Sequence, residues 1–214
     1  MKINRLYVKK MKIIKQIGHL IVYPADQFEE MKYEKQWNVG FSFIILLFWF
    51  FSMIAQKQES GFIFNMNNLN DLNILYIFFS TFMLFIFGVI CNWSVTTLLD
   101  GKGNFKEIWA SCSYALIPYI VSIYLNVILS RFFIMEEGSF LVVIECIGII
   151  WSGYLIITAL RVVHSYSFSK TVLSIIFTVI GILFVLFLIV LMFGLIQQVI
   201  SFFQTIYFEL MYRR

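Results

Sequence analysis

Five long apolar stretches, separated by short polar or charged segments, dominate the pattern of this chain. They cover residues 37–55, 72–99, 108–133, 140–163 and 172–196. A helix needs about 20 predominantly apolar residues to cross a bilayer, and each stretch is close to that length or longer. The pattern therefore predicts five transmembrane helices. The second is long enough to be tilted or to protrude, and the third contains Pro118.

Amphipathic segments flank the five predicted spans. In residues 1–36, basic positions recur at helical spacing opposite apolar ones, which predicts a basic amphipathic helix. Such a helix either lies on an anionic membrane surface or docks on the protein's own membrane domain. Pro24 should end this helix, and a second short helix should follow and reach Lys35.

Beyond Gly194 the chain becomes partly polar again. A stripe at helical spacing contains Gln197, Ser201, Gln204, Phe208 and Met211. This last helix either extends the fifth span or lies at the membrane interface. The predicted organisation is an amphipathic segment over residues 1–36, a five-span membrane domain over 37–203 and an amphipathic C-terminal tail over 204–214.

Composition indicates that lipid is the solvent of this fold. Hydrophobic residues make up 61% of the chain and charged residues 13%, and the mean hydropathy is +0.87. Soluble domains have about 45–50% apolar and about 25% charged residues, so a soluble fold could not cover this much apolar surface. The predicted fold class is an all-α integral membrane protein, located in the cell membrane.

Positive charge is concentrated on one side of the predicted membrane domain. Twelve Lys and Arg residues lie in the N-terminal segment, the second-to-third loop and the fourth-to-fifth region, against four elsewhere. Because cytoplasmic loops carry the excess of basic residues, the N-terminus is expected in the cytoplasm and the C-terminus outside. The basic N-terminal segment is expected to bind anionic lipid, not nucleic acid.

Glu145 is the one clear carboxylate inside a predicted span. Intramembrane charge is costly, so such a residue suggests a functional site. Glu145 shares a helical stripe with Gly148 and Ser152, a pair of small residues that lets helices approach closely. It should therefore face protein and be neutral or paired with a hydrogen-bond donor, for which Asn126 and Ser122 lie at a suitable depth. A packing role and a relay or ligand role both remain open.

A polar stripe follows one face of the second span. It contains Thr81, Gly88, Asn92 and Thr96 at helical spacing. These side chains either bond to neighbouring helices or line a polar path. The candidate intramembrane polar site therefore comprises Glu145, Ser152, Asn92, Thr96 and Asn126.

Two loops on the predicted cytoplasmic side form a candidate partner surface. Residues 100–105 resemble a phosphate loop, but the GxxxxGK(S/T) spacing is absent, so a tight turn with glycines at positive φ is expected. Arg161 and His164 end the fourth span, either as interfacial anchors or as part of a contact surface. The candidate surface residues are Lys102, Asn104, Lys106, His164, Tyr166 and Lys170.

Catalytic and cofactor chemistry finds no support in the residue pattern. The three cysteines form no CxxC pair and are expected to be buried apolar residues, namely Cys91, Cys112 and Cys146. Ser152 has no histidine placed to activate it, and the two histidines lie far apart in the chain. Neither an enzyme nor a cofactor or metal site is predicted.

An ordered set of motifs runs through most of the chain. Tyr23-Pro24 precedes Phe28, the loop over 100–107 leads into SYALIP at 113–118, and the loop over 164–170 follows the fourth span. This order resembles the Yip (Ypt-interacting protein) domain family, in particular its bacterial branch, over about residues 20–203. Its motif positions here are Tyr114 and Pro118. The resemblance implies five spans and a cytoplasmic N-terminus.

The resemblance also bears on partners. Eukaryotic members of this family associate with prenylated Rab-type GTPases and with one another, and their N-terminal Asp-Leu-Tyr-Gly-Pro motif is reduced here to Val22-Tyr23-Pro24. This departure counts against GTPase binding. The predicted function is a scaffold or partner-binding subunit that contacts lipid, a second copy or another membrane protein. The alternative is a subunit or accessory factor of a transporter, in which Glu145 and the second-span stripe face a polar path.

Overall fold

The computed structural model describes residues 18–34, 37–65 and 72–213. The basic positions expected to contact lipid, residues 2–15, lie outside this part of the chain. No strand occurs among the described residues. Five helical segments among them are long and apolar enough to cross a membrane, which confirms the all-α, five-span fold class.

The spans follow one another through short connections. We label the helices in chain order as α1 (Pro24–Tyr33), α2 (Val39–Gln58), α3 (Ile74–Leu98), α4 (Phe105–Ala115), α5 (Ile117–Leu129), α6 (Gly138–His164) and α7 (Phe168–Tyr212). The third span consists of α4 and α5 together. The connections over 99–104 and 165–167 lie at the same end of the bundle, called here the loop end.

The third span is interrupted close to its proline. α4 ends at Ala115 and α5 begins at Ile117, so Pro118 lies in the first turn of α5, where a missing N–H is tolerated. The Tyr119 N–H donates to Ser152 Oγ of α6 at 3.0 Å. A side chain of the neighbouring span thus satisfies a backbone group next to the break.

The segment before the first span docks on the membrane domain. α1 packs against α6, and Leu20, Phe28 and Met31 are only 1%, 0% and 4% exposed. Burial of side chains of this size stabilises the packed state by roughly 1.5–3 kcal/mol each. Residues 18–34 are therefore docked on the membrane domain, and the second short helix begins at Pro24 as expected. Most of the basic helix predicted before Pro24 lies outside the described residues.

The fifth span is far longer than a bilayer requires. α7 continues without a break for 45 residues, which is about 67 Å at 1.5 Å per residue. α3 has 25 residues and is about 37 Å long by the same rise. α7 packs mainly on α3, and its buried residues lie near its start, at Thr171, Ser174 and Thr178. The partly polar residues after Gly194 continue the fifth span as one helix.

Cys146 corrects the expectation that all three cysteines are buried. Cys91 is buried and Cys112 is partly buried, but Cys146 is exposed on α6. It lies beside the packed stripe that contains Gly148 and Ser152, on the side of the helix that no other span covers. In a bilayer, lipid covers that side, so a small apolar thiol there still avoids water.

Candidate functional site

Glu145 of the fourth span is paired with amide donors from two other spans. Its Oε1 accepts a hydrogen bond from Gln56 Nε2 of α2 at 3.3 Å, and its Oε2 accepts one from Asn126 Nδ2 of α5 at 3.4 Å. The Asn126 amide also donates to the carbonyl of Leu141 at 3.2 Å. Glu145 therefore faces protein, and one of its two expected donors, Asn126, contacts it. The hydroxyl of the other expected donor, Ser122, instead donates to the carbonyl of Tyr119 on the same helix at 2.8 Å.

A cavity of about 410 Å³ adjoins this carboxylate. Its wall includes Gln56 and Lys57 of α2, Asn126 and Ser130 of the third span, and Glu145. The cavity thus offers one carboxylate, one ammonium group, amides and hydroxyls, a set that can hold water or a small polar molecule. Among the described residues, no group of three or more His, Cys, Asp or Glu side chains could hold a metal ion.

Small residues form the packed face of α6. Gly148, Ser152 and Ala159 are all buried. Gly148 lies so close to Ser122 that an added Cβ would collide with the Ser122 hydroxyl, and Ser152 Oγ accepts the Tyr119 N–H. Small side chains therefore allow α5 and α6 to approach closely. The contacts of Ser152 are those of a packing residue.

Asn92 and Thr96 join the second span to the fifth span and to the loop end. Asn92 is 3% exposed, and its Nδ2 donates to Thr178 Oγ1 of α7 at 3.1 Å. The Thr96 hydroxyl donates to the carbonyl of Asn92 at 2.7 Å, and the Tyr166 hydroxyl donates to the carbonyl of Thr96 at 3.2 Å. The second-span stripe is therefore engaged in contacts between helices.

The two parts of the predicted intramembrane site do not meet. Glu145 contacts α2 and α5, whereas Asn92 contacts α7. No residue of α3 lines the cavity at Glu145. The structure brings Asn126 to Glu145 and Ser152 to the break in the third span, but it leaves Asn92 and Thr96 in a separate place.

The two loops at the loop end interlock around a buried histidine. His164 is 1% exposed, and its Nδ1 accepts a hydrogen bond from the Gly103 N–H at 3.3 Å. The Tyr166 ring stacks on His164 with the centroids 5.3 Å apart, and its hydroxyl donates to the carbonyl of Leu99 at 3.0 Å. Ser165, at φ 55°, turns the chain back toward the bundle. His164 and Tyr166 therefore do not belong to an exposed partner surface, which corrects that expectation.

The glycines of the 100–104 loop allow it to pack closely against the end of the fourth span. Asp100 has a φ of 57°, and no described glycine has positive φ. The prediction of a tight turn with its glycines at positive φ is therefore wrong. An added Cβ on Gly101 would lie 2.6 Å from His164 Nδ1, and one on Gly103 would collide with Val163. The aspartate takes the left-handed conformation, which its short polar side chain tolerates, and the glycines leave room for the imidazole ring.

Lys32 of α1 caps the C-terminal end of the fourth span. Its Nζ donates to the carbonyl of Val162 at 2.7 Å and to Ser165 Oγ at 2.6 Å. A cation is favourable at this end of a helix. Burial lowers the pKa of the Lys32 ammonium. The negative charge of Glu107 raises this pKa, and the positive charge of Lys102 lowers it. Sequence reasoning missed this contact because 130 positions separate Lys32 from Val162.

Basic side chains remain accessible around the interlocked loops. Lys102 and Lys106 are exposed, and Lys170 is half-buried with its Nζ 4.8 Å from the centroid of the Tyr166 ring. Asn104 is exposed and is the N-cap residue of α4. We call Lys102, Lys106 and Lys170 the basic rim. The rim and Asn104 are what remains of the predicted partner surface.

The motif positions Tyr114 and Pro118 both lie in the third span. Tyr114 is 8% exposed, and its ring centroid lies 5.6 Å from that of Phe41 on α2. Pro118 lies in the first turn of α5. Both residues therefore act in the packing and shape of the third span.

A known protein family matches most of the chain. The model of the Yip1 domain family matches residues 18–191, which include α1, the first four spans and the first half of α7. No curated protein and no solved structure matches the chain. Because the match covers most of the sequence and the five-span fold agrees with it, this chain belongs to the Yip1 domain family.

Proposed function

We propose that this protein is a non-enzymatic membrane scaffold that binds a second copy of itself through the exposed part of its fifth span. The observation that carries the proposal is the unpartnered length of α7. Beyond Thr178, the described helix has no buried residue. Its side chains there include Phe202, Phe203 and Leu210, which are 62%, 65% and 65% exposed.

Lipid alone cannot cover α7. The hydrocarbon core of a bilayer is about 30 Å thick, whereas this helix is about 67 Å long, and transmembrane helices tilt by no more than about 40°. A stretch of α7 therefore extends beyond the hydrocarbon region. Large apolar surface exposed to water marks an interaction site, and a protein partner is the cover that fits a helix.

The exposed part of α7 carries a stripe suited to self-association. Positions spaced alternately by three and four residues repeat along it, as in a coiled coil. We call these positions the seam: Leu183, Phe187, Val190, Gly194, Gln197, Ser201, Gln204, Phe208 and Met211. Between residues 183 and 212 the one charged residue is Glu209, so two copies can approach without strong repulsion. The Gln and Ser side chains of the seam can hydrogen-bond between copies.

The transporter alternative has weaker support. It needs Glu145 and the second-span stripe to face one polar path. Glu145 is paired with Gln56 and Asn126, whereas Asn92 is paired with Thr178 of α7. The cavity beside Glu145 is the observation that favours this alternative, because it could receive a small polar molecule. Self-association requires no such path.

The orientation of the chain and the membrane in which it lies form part of the same proposal. The excess of basic residues supports a cytoplasmic loop end in a cell membrane, with the basic rim facing anionic lipid headgroups or a partner. The order of the motifs also supports membership of the bacterial branch of the family. The reduced N-terminal motif at Val22-Tyr23-Pro24 supports a role without GTPase binding.

The proposed orientation predicts a labelling pattern. In a cysteine-free background, Lys102→Cys should be protected from a membrane-impermeant thiol reagent applied outside, and Phe62→Cys should react. Phe62 is 98% exposed and lies in the connection at the opposite end from Lys102, which is also exposed, so both thiols are sterically free. Reaction at position 102 with protection at position 62 would reverse the orientation.

Self-association is tested by co-purification of two tagged copies. Full-length chains with different tags, co-expressed and extracted in mild detergent, should purify together. The double variant Gln197→Glu/Gln204→Glu should abolish co-purification, because it places like charges face to face at the seam. The control Val199→Glu/Ile206→Glu introduces the same charges on the opposite side of α7 and should retain it. Failure of the wild-type copies to co-purify contradicts the proposal.

A further inference from the structure

A second cavity lies at the loop end, between α1 and the last two turns of α6. Its volume is about 410 Å³. One face of α1, with Glu29 and Lys32, forms one side of it, and one face of α6, with Thr158 and Arg161, forms the other. Ser165 closes the wall after the end of α6. Glu29 and Arg161 are exposed, so the cavity is open to molecules outside the bundle.

Three polar side chains on this wall have hydrogens left to donate. An ammonium group has three N–H groups, and Lys32 uses two of them, for the Val162 carbonyl and for Ser165 Oγ. Because Ser165 Oγ accepts that bond, its own hydrogen remains available. The Arg161 guanidinium has five N–H groups and makes no hydrogen bond or ion pair among the described residues. The cavity is therefore lined by converging donors.

The two cations on the wall are not neutralised by the protein. Within the described ranges, the one ion pair joins Arg131 and Glu59. Glu29 borders the same cavity, yet it forms an ion pair with neither Lys32 nor Arg161. Two positive charges and one negative charge leave the wall with a net charge of +1. A ligand with a single negative charge matches it.

The carbonyl groups at the end of α6 are already occupied. The C-terminal end of a helix disfavours an anion, because its last carbonyls carry partial negative charge. Here the Val162 carbonyl accepts from Lys32 Nζ at 2.7 Å and from the Ser165 N–H at 3.1 Å, and the Arg161 carbonyl accepts from the Tyr166 N–H at 3.0 Å. The free donors therefore outweigh these acceptors on the wall of the cavity.

The cavity lies at the depth of lipid phosphates. α6 has 27 residues and is about 40 Å long, and a bilayer with its headgroups is about 40–45 Å thick. Both ends of α6 therefore lie among headgroups, and Arg161 is three positions from the last residue, His164. One turn before Thr158, on the same face of α6, Tyr154 is 49% exposed. A lipid whose phosphate enters the cavity can thus lay its chains along α6.

We propose that this cavity binds the phosphate of an anionic glycerophospholipid, with Lys32, Arg161 and Ser165 as the donors. Guanidinium and ammonium groups are strong phosphate donors, and basic pockets between membrane helices suit lipid headgroups. A phosphodiester has the single negative charge that the wall matches. A glycerol headgroup adds no cation, and its hydroxyls can donate to Glu29. The site depends neither on self-association nor on which side of the membrane the loop end faces.

Native mass spectrometry of the purified full-length protein, with lipids titrated in mild detergent, tests the proposal. Phosphatidylglycerol should bind about tenfold more tightly than phosphatidylcholine with the same chains, as for one hydrogen bond to a charged group. The choline cation cancels the charge of the phosphate, so equal affinity of the two lipids would overturn the proposal. Glycerol 3-phosphate should not displace bound phosphatidylglycerol. Displacement would assign the cavity to a soluble phosphate compound and overturn the lipid assignment.

Matched variants place the ligand in this cavity. Arg161→Gln should lower the affinity for phosphatidylglycerol about tenfold without changing the melting midpoint, because the guanidinium has no partner in the described fold. Lys106→Gln removes the same charge outside the cavity wall and should cost much less. Ala25 lines the cavity and is exposed, so Ala25→Trp should block binding while both cations remain. Equal losses for Arg161→Gln and Lys106→Gln, or undiminished binding by a folded Ala25→Trp protein, would refute the site.

Discussion

Replacement of Gly103 by alanine is expected to lower the free energy of unfolding by about 1–3 kcal/mol, the usual cost of adding an atom to a packed site. Gly103 has ordinary negative φ, so the backbone itself would accept alanine. The cost arises because the new Cβ would collide with Val163 and lie 2.9 Å from His164 Cε1. Those neighbours are 0% and 1% exposed, so neither can move aside, and the loop must lift away from the imidazole ring.

Two control variants separate packing from backbone conformation. Asp100→Gly should leave stability unchanged or raise it, because Asp100 holds the positive φ in this loop and glycine adopts that conformation freely. Gly153→Ala should also be tolerated, since nothing lies within 4 Å of its Cβ position. Thermal unfolding of the purified variants in mild detergent measures all three. If Asp100→Gly lowers the melting midpoint and Gly103→Ala does not, the packing explanation fails.

Replacement of Glu145 by leucine is expected to destabilise the bundle by about 0.5–2 kcal/mol, as for a lost hydrogen bond between membrane helices. Leucine fills a similar volume but accepts no hydrogen bond from Gln56 or Asn126. Gln56 contributes its Nε2 to Glu145 across the boundary between α2 and α6, so its amide would be left beside an apolar side chain. The Asn126 amide would retain its bond to the Leu141 carbonyl, which limits the loss.

The conservative variant Glu145→Gln distinguishes packing from proton or ion handling. Its amide oxygen still accepts from one of the two donors, so the fold and the self-association should both survive. Melting in detergent and co-purification of two tagged copies measure these properties on the same preparation. A leucine variant that melts with the wild type, together with a glutamine variant that is folded but inactive in the cell, would contradict packing and favour the transporter alternative.

The spans were predictable from the sequence because the bilayer itself imposes the pattern. A helix that crosses lipid must be apolar over its full length, and this requirement is local in sequence. Pro118 lies in the third span, and the interruption next to it was not predicted, although proline cannot continue the helical hydrogen bonding. Asn126 was a predictable partner of Glu145 because consecutive spans are neighbours in the bundle and the two residues lie at similar depth.

Contacts between distant segments were not predictable in the same way. Gln56 and Glu145 are 89 positions apart, and whether a side chain of α2 reaches one of α6 depends on the order of helices in the bundle, which hydropathy does not encode. His164 illustrates a second limit: its position at the end of a span is compatible with exposure or with burial. Only the glycines that close over the ring, Gly101 and Gly103, made burial possible, and their role was not apparent from a turn-like sequence.

Disulfide cross-linking along α7 in native membranes tests self-association most directly. Single cysteines are placed in a cysteine-free background at the seam positions Ser201, Gln204 and Phe208, and at Val199 and Ile206 on the opposite side of the helix. All five side chains are exposed in the single chain, so the isolated structure does not favour one face. Cross-linked dimers are expected at the three seam positions and none at the two controls. Equal cross-linking at all five positions, or none at any, would contradict it.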